Sequence, residues 1–582
     1  MGMMDTGRHG KLRLALAFTV LIVLAAGIAL AVGAILQDER DNRSAEAEVE
    51  SGGLLPISPE WLEYTYGEPG QAVLAVNDFP EKFDLREEGL VAQVEDQSPF
   101  STCWAFGALG SLESNALMQN DGARAGFSGY SEHHLAWFAY EVQRSGDQEG
   151  EGATPANLGT FDPQWSSVYH MAAGSPYLAL STLASWTGAE DQATVPYVDD
   201  RGSTEAGNES WRVAESLRFD ARNHLTDVDF LPTPVIEQDG EHVYSQAAVD
   251  AVKRSIMENG AVSVSYYADQ SVPGEEGNSS YFNRDTWASC VTGVEEFERD
   301  FIVPNHVVTI VGWDDAYSKD NYTEGCRPAG DGAWIAKNSW GRGTWSLPDE
   351  NGEPSGYFYL SYYDETACEF MSFQGDAVED GFEYERNYQY DYLGMSAMLV
   401  DTEYVDGEAS TANVFVADGD EELGAVSAVT FRPEASVEVE VYVLGEDAVV
   451  PDDGRLVAHT AETFDYGGYH TVELDEPVDL AADERFAVVE TIEAPGEDGE
   501  SVYQVYFENA PADEASSLRW TNLSQLETTA RANAGESFRY DEGIGWRDAT
   551  ELDTRACLYD QGIRVKYGNA LIKAFANSQD EG

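Results

Sequence analysis

The pattern of hydrophobic residues changes near residues 375–390, and this change limits the folds that the chain can adopt. Before it, a segment with helical spacing is mixed with largely apolar strand-like segments. After it, short alternating segments such as ANVFVA, VEVEVYVL and RFAVVET are separated by Asp, Gly and Pro turns. Regular short strands with such turns are typical of an antiparallel β-sandwich or barrel. We therefore expect an α+β domain over residues 81–367 and an all-β sandwich of jelly-roll type over 385–575.

Within the first domain, two helices and four strands are predicted from apolar spacing. One helix begins near Cys103, with Ser101 or Thr102 as its cap, and the other covers 246–259 and ends at Gly260. The predicted strands are AVSVSYYA, HVVTIVGW, AWIAKNSWG and GYFYLSYYD. The Gly- and acid-rich segments 141–162 and 199–210 are interpreted as surface insertions.

The acidic excess is the dominant compositional feature, with 106 Asp and Glu against 33 Lys and Arg and a net charge of −73. Such a surface repels phosphate, which excludes nucleic-acid binding through a basic face. In molar salt the Debye length falls to about 3 Å, so the repulsion between the carboxylates of this surface is screened. The even spread of acid indicates adaptation to high salt, as in a halophilic archaeon. The alternative is an ordinary acidic protein with a cation-rich partner.

The N-terminus is predicted to be a targeting segment. Residues 1–13 are a basic flank, and the apolar run 14–36 contains 23 residues, enough to cross a hydrocarbon core of about 30 Å. Either a transmembrane anchor or a cleaved signal fits this run, since Ala29-Leu30-Ala31 resembles a cleavage site. In both cases the flank stays in the cytoplasm. Residues 37–80 are then an acidic stalk or pro-region, and the chain is expected to be a single-pass cell-membrane protein with its folded part extracellular, or to be secreted.

Cysteine and histidine usage predicts no metal site and no cofactor. The five cysteines are too few for a disulfide scaffold, and no CxxC pair or histidine spacing suits a metal. Cys290 and Cys326 are able to pair only if the compartment is oxidising, which the sequence does not decide.

Four residue types in a fixed order indicate nucleophilic catalysis. A helix that starts at Cys103 directs its positive dipole end at the thiol and lowers the thiol pKa. His306 is the candidate proton acceptor, Asn338 would orient its ring, and Trp340 would shield that hydrogen bond from water. The Gln97 amide and the backbone N–H of Cys103 would form an oxyanion hole, in which one donor is typically worth about 3 kcal/mol. Each of these residues alone is weak evidence for nucleophilic catalysis, and the hypothesis rests on their joint occurrence in this order.

The stretches DQSPFSTCWAF, YSEHHL, NHVVTIVGWDD, AWIAKNSWG and GYFYLSYYD together resemble a papain-family cysteine peptidase over about residues 81–365. The resemblance implies a two-lobed fold with a cleft between a helical lobe and a β-rich lobe. It also implies that Cys103 is the nucleophile, His306 the general acid and base, Asn338 its orienting residue and Gln97 the oxyanion-hole residue.

The same resemblance suggests substrate-binding positions. Gly174 and Ser175 lie where the family usually has a Gly-Gly strip that holds the substrate backbone, and Trp340 and Trp345 resemble tryptophans beside the leaving group. The chain also departs from the family pattern. Phe100 occupies the position of a family disulfide cysteine, so that disulfide is excluded. The Cys103–His306 separation of 203 residues (306 − 103) exceeds the usual ~130–150. The acidic insertions between the two residues would account for the additional length.

The C-terminal half resembles the lectin-like β-sandwich found fused to some prokaryotic and archaeal papain-like peptidases. NYQYDYLG, ANVFVADGDEELGAVSAVTF and YGGYHTVELDEPVDL carry this likeness. Tyr466, Tyr469 and His470 would either stack on a sugar or close a hairpin at the sandwich edge. The acidic turns would either hold Ca²⁺ or simply be solvated.

These observations predict an exported thiol endopeptidase with a Cys-His-Asn triad. Its partners are a protein or peptide substrate, the membrane through the N-terminal segment, and a cell-surface glycan or protein through the β-sandwich. One alternative is a non-catalytic surface protein with an inactive protease fold. Another is acyl transfer to an amine by the same residues.

Overall fold

The structure is a computed structural model. It describes residues 79–579 apart from gaps at 99, 121, 123–126, 141–152, 156–173, 198–211, 239–240, 270–278, 294–301, 344, 378–381, 393–399, 406, 497–500, 512–517, 520–524, 529–530 and 557–563. The predicted segments 1–13 and 14–36, and the stalk as far as residue 78, lie outside the described residues, as do the insertions except for residues 153–155 of the first. No helix within the described ranges is long and apolar enough to cross a membrane.

Four α-helices occur in the described part of the first domain. They are α1 (Cys103–Gln119), α2 (Glu132–Phe138), α3 (Pro176–Ala184) and α4 (Gln246–Asn259). Short 3-10 helices cover Glu215–Leu217, Lys319–Asn321, Glu324–Cys326 and Ala549–Glu551. Helix α1 begins at Cys103 and α4 ends before Gly260, so both predicted helices are confirmed. Gly260 has a φ of +101°, a conformation that glycine adopts without strain.

The strands that precede residue 377 form most of the first domain. They are β1 (Lys82–Asp84), β2 (Ala153–Pro155), β3 (His224–Leu231), β4 (Val235–Gln238), β5 (Glu241–Tyr244), β6 (Val262–Tyr266), β7 (Phe282–Asn283), β8 (Ala288–Ser289), β9 (His306–Asp314), β10 (Ala333–Lys337), β11 (Tyr357–Ser361) and β12 (Cys368–Asp376). The four predicted strand segments coincide with β6, β9, β10 and β11. Strand β12 continues the sheet of this domain beyond residue 367.

A central sheet positions the site of this domain. Its strands run in the order β3-β12-β6-β9-β10-β11-β8-β7, with β1 beside β9. Helix α1 packs on one face, where a Cβ on Gly107 would fall 2.4 Å from Val307 Cγ1 and one on Gly110 would fall 2.6 Å from Thr309 Oγ1. Helix α4 contributes Val249 to the hydrophobic core on the other face. The N-terminus of α1 therefore lies against the start of β9.

In the part of the chain that the structure describes, the second domain consists of strands and the 3-10 helix Ala549–Glu551. The strands are β13 (Arg386–Tyr388), β14 (Val400–Val405), β15 (Ala409–Val416), β16 (Glu421–Thr430), β17 (Ala435–Leu444), β18 (Gly454–Phe464), β19 (Gly467–Leu480), β20 (Arg485–Pro495), β21 (Ser501–Pro511), β22 (Leu518–Arg519), β23 (Gln525–Thr528), β24 (Ser537–Asp541), β25 (Gly545–Asp548), β26 (Arg555–Ala556), β27 (Arg564–Ala570) and β28 (Ala574–Ser578).

Most of these strands form a two-sheet sandwich, as predicted. One sheet has the order β13-β28-β16-β19, and the other has β25-β24-β15-β20-β21-β27-β26, with β14 beside β21 and β17 beside β18 and β20. Apolar side chains of both sheets share one core, including Val426, Val437, Val488 and Phe507, each at most 1% exposed. The alternating segments that predicted strands lie in β15, β16, β17, β19 and β20.

The two domains are joined by a shared sheet. Strand β19 pairs with β3, so that Gly467–Tyr469 lie opposite Val228–Phe230 and the sandwich sheet continues into the central sheet of the first domain. Tyr469 and His470 are each only 2% exposed at this seam. The alternative that these two side chains stack on a sugar is therefore wrong, because strand pairing across the seam buries them.

Candidate active site

Cys103 is the first residue of α1 and is completely buried. Thr102 occupies the N-cap position, but its hydroxyl makes no capping bond and lies 2.7 Å from the Tyr197 hydroxyl instead. Burial raises the pKa of the Cys103 thiol to about 12, while backbone hydrogen bonds from Val307, Trp104 and Cys103 itself oppose the rise. The predicted lowering of the thiol pKa is therefore wrong for this enclosed site, because desolvation outweighs the backbone hydrogen bonds that favour the thiolate.

His306, the first residue of β9, is also completely buried. Its Nε2 lies 2.8 Å from Asn338 Oδ1, which also accepts the backbone N–H of Ser339 at 2.7 Å. Because an N–H donates to this atom of Asn338, it is an oxygen, and His306 Nε2 must carry the proton in their shared hydrogen bond. Burial lowers the pKa of His306 to about 4 against the opposing Asn338 bond, so the imidazole is neutral and Nδ1 bears a lone pair.

His306 Nδ1 is buried and has no hydrogen-bond partner. The thiol of Cys103 contacts the backbone of Val307, the next residue along β9. The structure therefore brings the predicted nucleophile to the strand end that holds the predicted base. A proton acceptor without a partner at this strand end is what a thiol needs to become a nucleophile.

Aromatic rings enclose the His306–Asn338 hydrogen bond. The Trp340 ring stacks on His306 at 4.5 Å between centroids, and Tyr266 lies 6.0 Å away on a neighbouring strand. Trp345 packs edge-on against Trp340 at 5.8 Å. Exclusion of water strengthens a hydrogen bond between neutral groups, so these rings hold the imidazole in one orientation.

Gln97 is tied to the segment that carries Asn338. Its backbone N–H donates to the Ser339 carbonyl at 2.7 Å, and its Oε1 accepts the Ser339 hydroxyl at 2.6 Å. One N–H of its amide donates to the Phe100 carbonyl at 2.9 Å. Ser339 therefore links the oxyanion-hole candidate to the imidazole's partner. The sequence analysis missed this role, although Ser339 lies within the KNSWG segment that it quoted.

The predicted substrate strip lies beside the catalytic helix. A Cβ on Gly174 would fall 2.4 Å from the Trp104 ring, so the absence of a side chain lets the backbone pack on the residue that follows Cys103. Ser175 is 1% exposed, and its hydroxyl caps α3 by accepting the N–H of Leu178. If this strip binds a substrate, as predicted, its backbone groups would make the contact.

A buried charged cluster lines a small pocket behind Asn338. Glu113 of α1 accepts the N–H of Tyr130 at 2.9 Å and lies 3.6 Å from Lys337 Nζ. Glu132 also lines the pocket, and burial raises the pKa of both carboxyl groups. Lys337 immediately precedes Asn338, so this cluster anchors the strand that supplies it. Glu113 was missed because a mid-helix glutamate in a sequence is typical of a solvated face.

No group of His, Cys, Asp and Glu residues suited to a metal ion occurs among the described residues. Cys290, Cys326 and Cys368 are free and buried in the structure, so Cys290 and Cys326 are not paired there.

Comparisons with known families match one segment in each domain of the chain. Residues 79–135 match the papain family cysteine protease model, and residues 387–576 match the lectin like domain model. A probable cysteine protease of Arabidopsis thaliana, RD19C, and cysteine proteinase 15A of Pisum sativum are 44% and 46% identical over 41 residues. The chain spans about 11% of the length of these curated relatives.

Two solved structures extend the likeness to most of the chain. The clostridial cysteine protease Cwp84 after propeptide cleavage superposes with a TM-score of 0.58 and 22% identity, over 86% of this chain and 99% of its own. The protease and lectin-like domains of Cwp84, described as a surface layer associated protein of Clostridium difficile, give 0.57 and 22%, over 86% and 90%. At this identity the likeness establishes the fold. The chain thus shares its fold with these two structures, and it matches the papain family cysteine protease model over residues 79–135 and the lectin like domain model over residues 387–576.

Proposed function

We propose that this chain is an exported thiol endopeptidase that hydrolyses peptide bonds in a protein or peptide substrate. The observation that carries the proposal is the hydrogen bond from His306 Nε2 to Asn338 Oδ1. It fixes the tautomer in which Nδ1 is a base, on the strand that contacts the Cys103 thiol.

In the first half of the reaction, His306 Nδ1 takes the thiol proton and the sulfur of Cys103 attacks the peptide carbonyl carbon. The carbonyl oxygen becomes an oxyanion, which the Gln97 amide and the backbone N–H of Cys103 stabilise. His306 then gives its proton to the nitrogen as the C–N bond breaks, and the amine leaves. The product is a thioester between the substrate acyl group and Cys103.

In the second half, water replaces the amine. His306 Nδ1 takes a proton from the water, whose oxygen attacks the thioester carbonyl. The C–S bond breaks, the carboxylic acid leaves, and the proton returns to sulfur. Asn338 keeps the imidazole aligned through both proton transfers, because its hydrogen bond fixes the ring plane.

Substrate entry requires an opening step. Cys103 and His306 are both 0% exposed, and Tyr197 covers the start of α1 by contacts with Thr102 and the Gln97 carbonyl. Residues around the site must therefore move before a peptide reaches the thiol. Opening also rehydrates the site, which lowers the thiol pKa from its enclosed value toward that of an ordinary cysteine.

We further propose that the chain acts at the cell surface, either anchored through residues 14–36 or secreted. The similarity to Cwp84, described as a surface layer associated protein, supports this location. The lectin-like domain would hold the peptidase near its substrate by binding a surface glycan or protein. Because the shared sheet fixes the two domains together, such binding would orient the cleft as well as localise it.

The test is cleavage of a fluorogenic peptide in molar KCl by the full chain and by two cysteine variants. Cys103→Ala should lose activity by at least about 10³-fold, because no other group attacks the carbonyl. Cys326→Ala is the matched control, since Cys326 is also buried but lies in a separate 3-10 helix, and it should keep activity. Undiminished activity in Cys103→Ala would refute the mechanism.

The other two functions give different results in the same assay. No cleavage and no thioester from the wild-type chain would indicate a non-catalytic scaffold. Products joined to an added amine, seen by mass spectrometry in place of free carboxylic acid, would indicate acyl transfer. Free acid at the new C-terminus is the result that supports hydrolysis.

A further inference from the structure

Thr102 occupies the N-cap position of α1 but does not cap the helix. An N-cap threonine usually turns its hydroxyl toward a backbone N–H of the first helical turn. The Thr102 hydroxyl makes no such bond and lies 2.7 Å from the Tyr197 hydroxyl instead. Thr102 is completely buried, so its hydroxyl needs a partner within the protein. A capping bond that is given up directly before the nucleophile indicates that the contact with Tyr197 has a function of its own.

The Tyr197 hydroxyl joins the two ends of the segment that leads to Cys103. It donates its one proton to the Gln97 carbonyl at 2.8 Å, so the Thr102 hydroxyl must donate to the Tyr197 oxygen. Burial raises the pKa of Tyr197 well above its ordinary value, which keeps the proton on this oxygen. One hydroxyl therefore holds both Gln97 and Thr102, which are five positions apart (102 − 97).

Two phenylalanines hold the ring of Tyr197 in place. Phe106 of α1 lies edge-on to it at 5.1 Å between centroids, and Phe100, within the segment itself, lies at 6.1 Å. Aromatic contacts at such distances are favourable beyond the burial of apolar area. Residues 97–102 include no cysteine, so a disulfide does not hold this segment. Aromatic packing thus fixes the position of the hydroxyl, and the hydroxyl fixes the segment.

The same segment determines where both donors of the proposed oxyanion hole lie. The Gln97 amide donates an N–H to the Phe100 carbonyl at 2.9 Å, and its Oε1 accepts the Ser339 hydroxyl. The direction of the amide therefore depends on the segment. The second donor is the backbone N–H of Cys103, the residue after Thr102. Such donors act at about 2.7–3.1 Å from the oxyanion, so a small change in their separation weakens the stabilisation.

Resting on the proposed function, we propose that Tyr197 is a positioning residue of the oxyanion hole. Its hydroxyl sets the separation of the two donors by holding Gln97 at one end of the segment and Thr102 at the other. Tyr197 acts through these donors and not on the substrate. Its effect belongs to the two steps that form an oxyanion, the attack of sulfur on the peptide carbonyl and the attack of water on the thioester.

The test compares two reactions of Cys103 in Tyr197→Phe, which removes the hydroxyl and keeps the ring. Cleavage of a fluorogenic peptide passes through an oxyanion, whereas alkylation by iodoacetamide, in which the sulfur displaces iodide, does not. In molar KCl we expect kcat to fall about 10- to 100-fold with little change in KM, because displaced donors still act, but weakly. Alkylation of Cys103, mapped by peptide mass spectrometry, should stay within about twofold of the wild-type rate, since it needs only the thiolate.

Thr102→Val tests the other end of the segment, because valine keeps the branched shape and lacks the hydroxyl. Its kcat should also fall. In the double variant with Tyr197→Phe, kcat should lie within about twofold of that of Tyr197→Phe alone, because both hydrogen bonds pass through one hydroxyl. Losses that multiply in the double variant would contradict this shared restraint.

Tyr317→Phe is the matched control. The Tyr317 hydroxyl also donates to a backbone carbonyl, that of Thr286 at 2.9 Å, but in the connection between β7 and β8, so its loss should leave both reactions unchanged. Wild-type kcat in Tyr197→Phe would overturn the positioning role. An equal fall in cleavage and alkylation would overturn it as well, because the hydroxyl would then support the thiol and not the donors. Failure of the wild-type chain to cleave any peptide would instead refute the proposed function.

Discussion

The hydrogen bonds around His306 determine which of its nitrogens holds the proton. The four predicted residues Gln97, Cys103, His306 and Asn338 come from distant parts of the sequence, and the structure brings them to one end of α1 and β9. Residue types and their order were sufficient to predict this group, whose catalytic roles stay a proposal. Ser339 and Glu113 were not found, because a serine and a glutamate in a sequence are compatible with solvent exposure, and only the structure shows that both are buried and contact the segments around Asn338.

The variant Ser339→Ala tests how the oxyanion hole is positioned. The substitution removes the hydroxyl that donates to Gln97 Oε1 at 2.6 Å, so the Gln97 amide loses one restraint. We expect kcat to fall about tenfold with little change in KM, because the lost restraint matters most for the transition state. Steady-state kinetics measures both constants.

The control for this variant is Ser372→Ala. Ser372 is buried, and its hydroxyl has no hydrogen-bond partner, so its removal should leave kcat unchanged. A Ser339→Ala enzyme with wild-type kcat would contradict the positioning role. Stability should fall by only about 1 kcal/mol in Ser339→Ala, the usual loss of one hydrogen bond.

Among the secondary-structure elements, α1 and β9 set the geometry of the site by their close approach. Both elements were predicted from apolar runs in the sequence, and their bounds agree with the prediction. Their contact was not predicted, because a helical run with glycines does not reveal which strand it faces. Gly107 and Gly110 permit this contact, and the Cys103 thiol reaches the backbone of Val307 as a result.

Gly107→Ala tests this close approach. The added Cβ would lie 2.4 Å from Val307 Cγ1, well inside contact distance, so α1 or Val307 must shift. We expect the free energy of unfolding to fall by about 1–3 kcal/mol, as for other overpacked cores, and kcat to fall with it. Urea denaturation in molar KCl measures the first quantity.

Gly325→Ala is the matched control, because a Cβ there meets nothing within 4 Å. It should change stability by less than about 0.5 kcal/mol. Equal stability of the Gly107→Ala and Gly325→Ala variants would contradict the claim that the α1–β9 contact requires glycine.

For the molecule as a whole, the sequence predicted two domains but not how they join. The alternating pattern of β19 predicts a strand, yet it does not show that the first residues of that strand pair with β3 of the other domain. For this reason Tyr469 and His470 were open to two interpretations until their burial excluded stacking on a sugar. A bound surface ligand would therefore need another face of the sandwich.

The whole-molecule charge of −73 does not depend on this fold. It predicts a protein that is most stable at high salt, and the halophilic origin remains a prediction from composition alone. High salt also removes long-range attraction of substrates. Specificity must then come from short-range contacts at the site.

The most direct test of the account is the site and rate of alkylation by an epoxide thiol inhibitor, mapped by peptide mass spectrometry on the wild-type chain and on His306→Ala. We predict one adduct, on Cys103, and a rate at least about 100-fold lower in His306→Ala, because the thiol then has no base beside it. An adduct on another cysteine, or an equal rate in the variant, would contradict the claim that His306 activates Cys103.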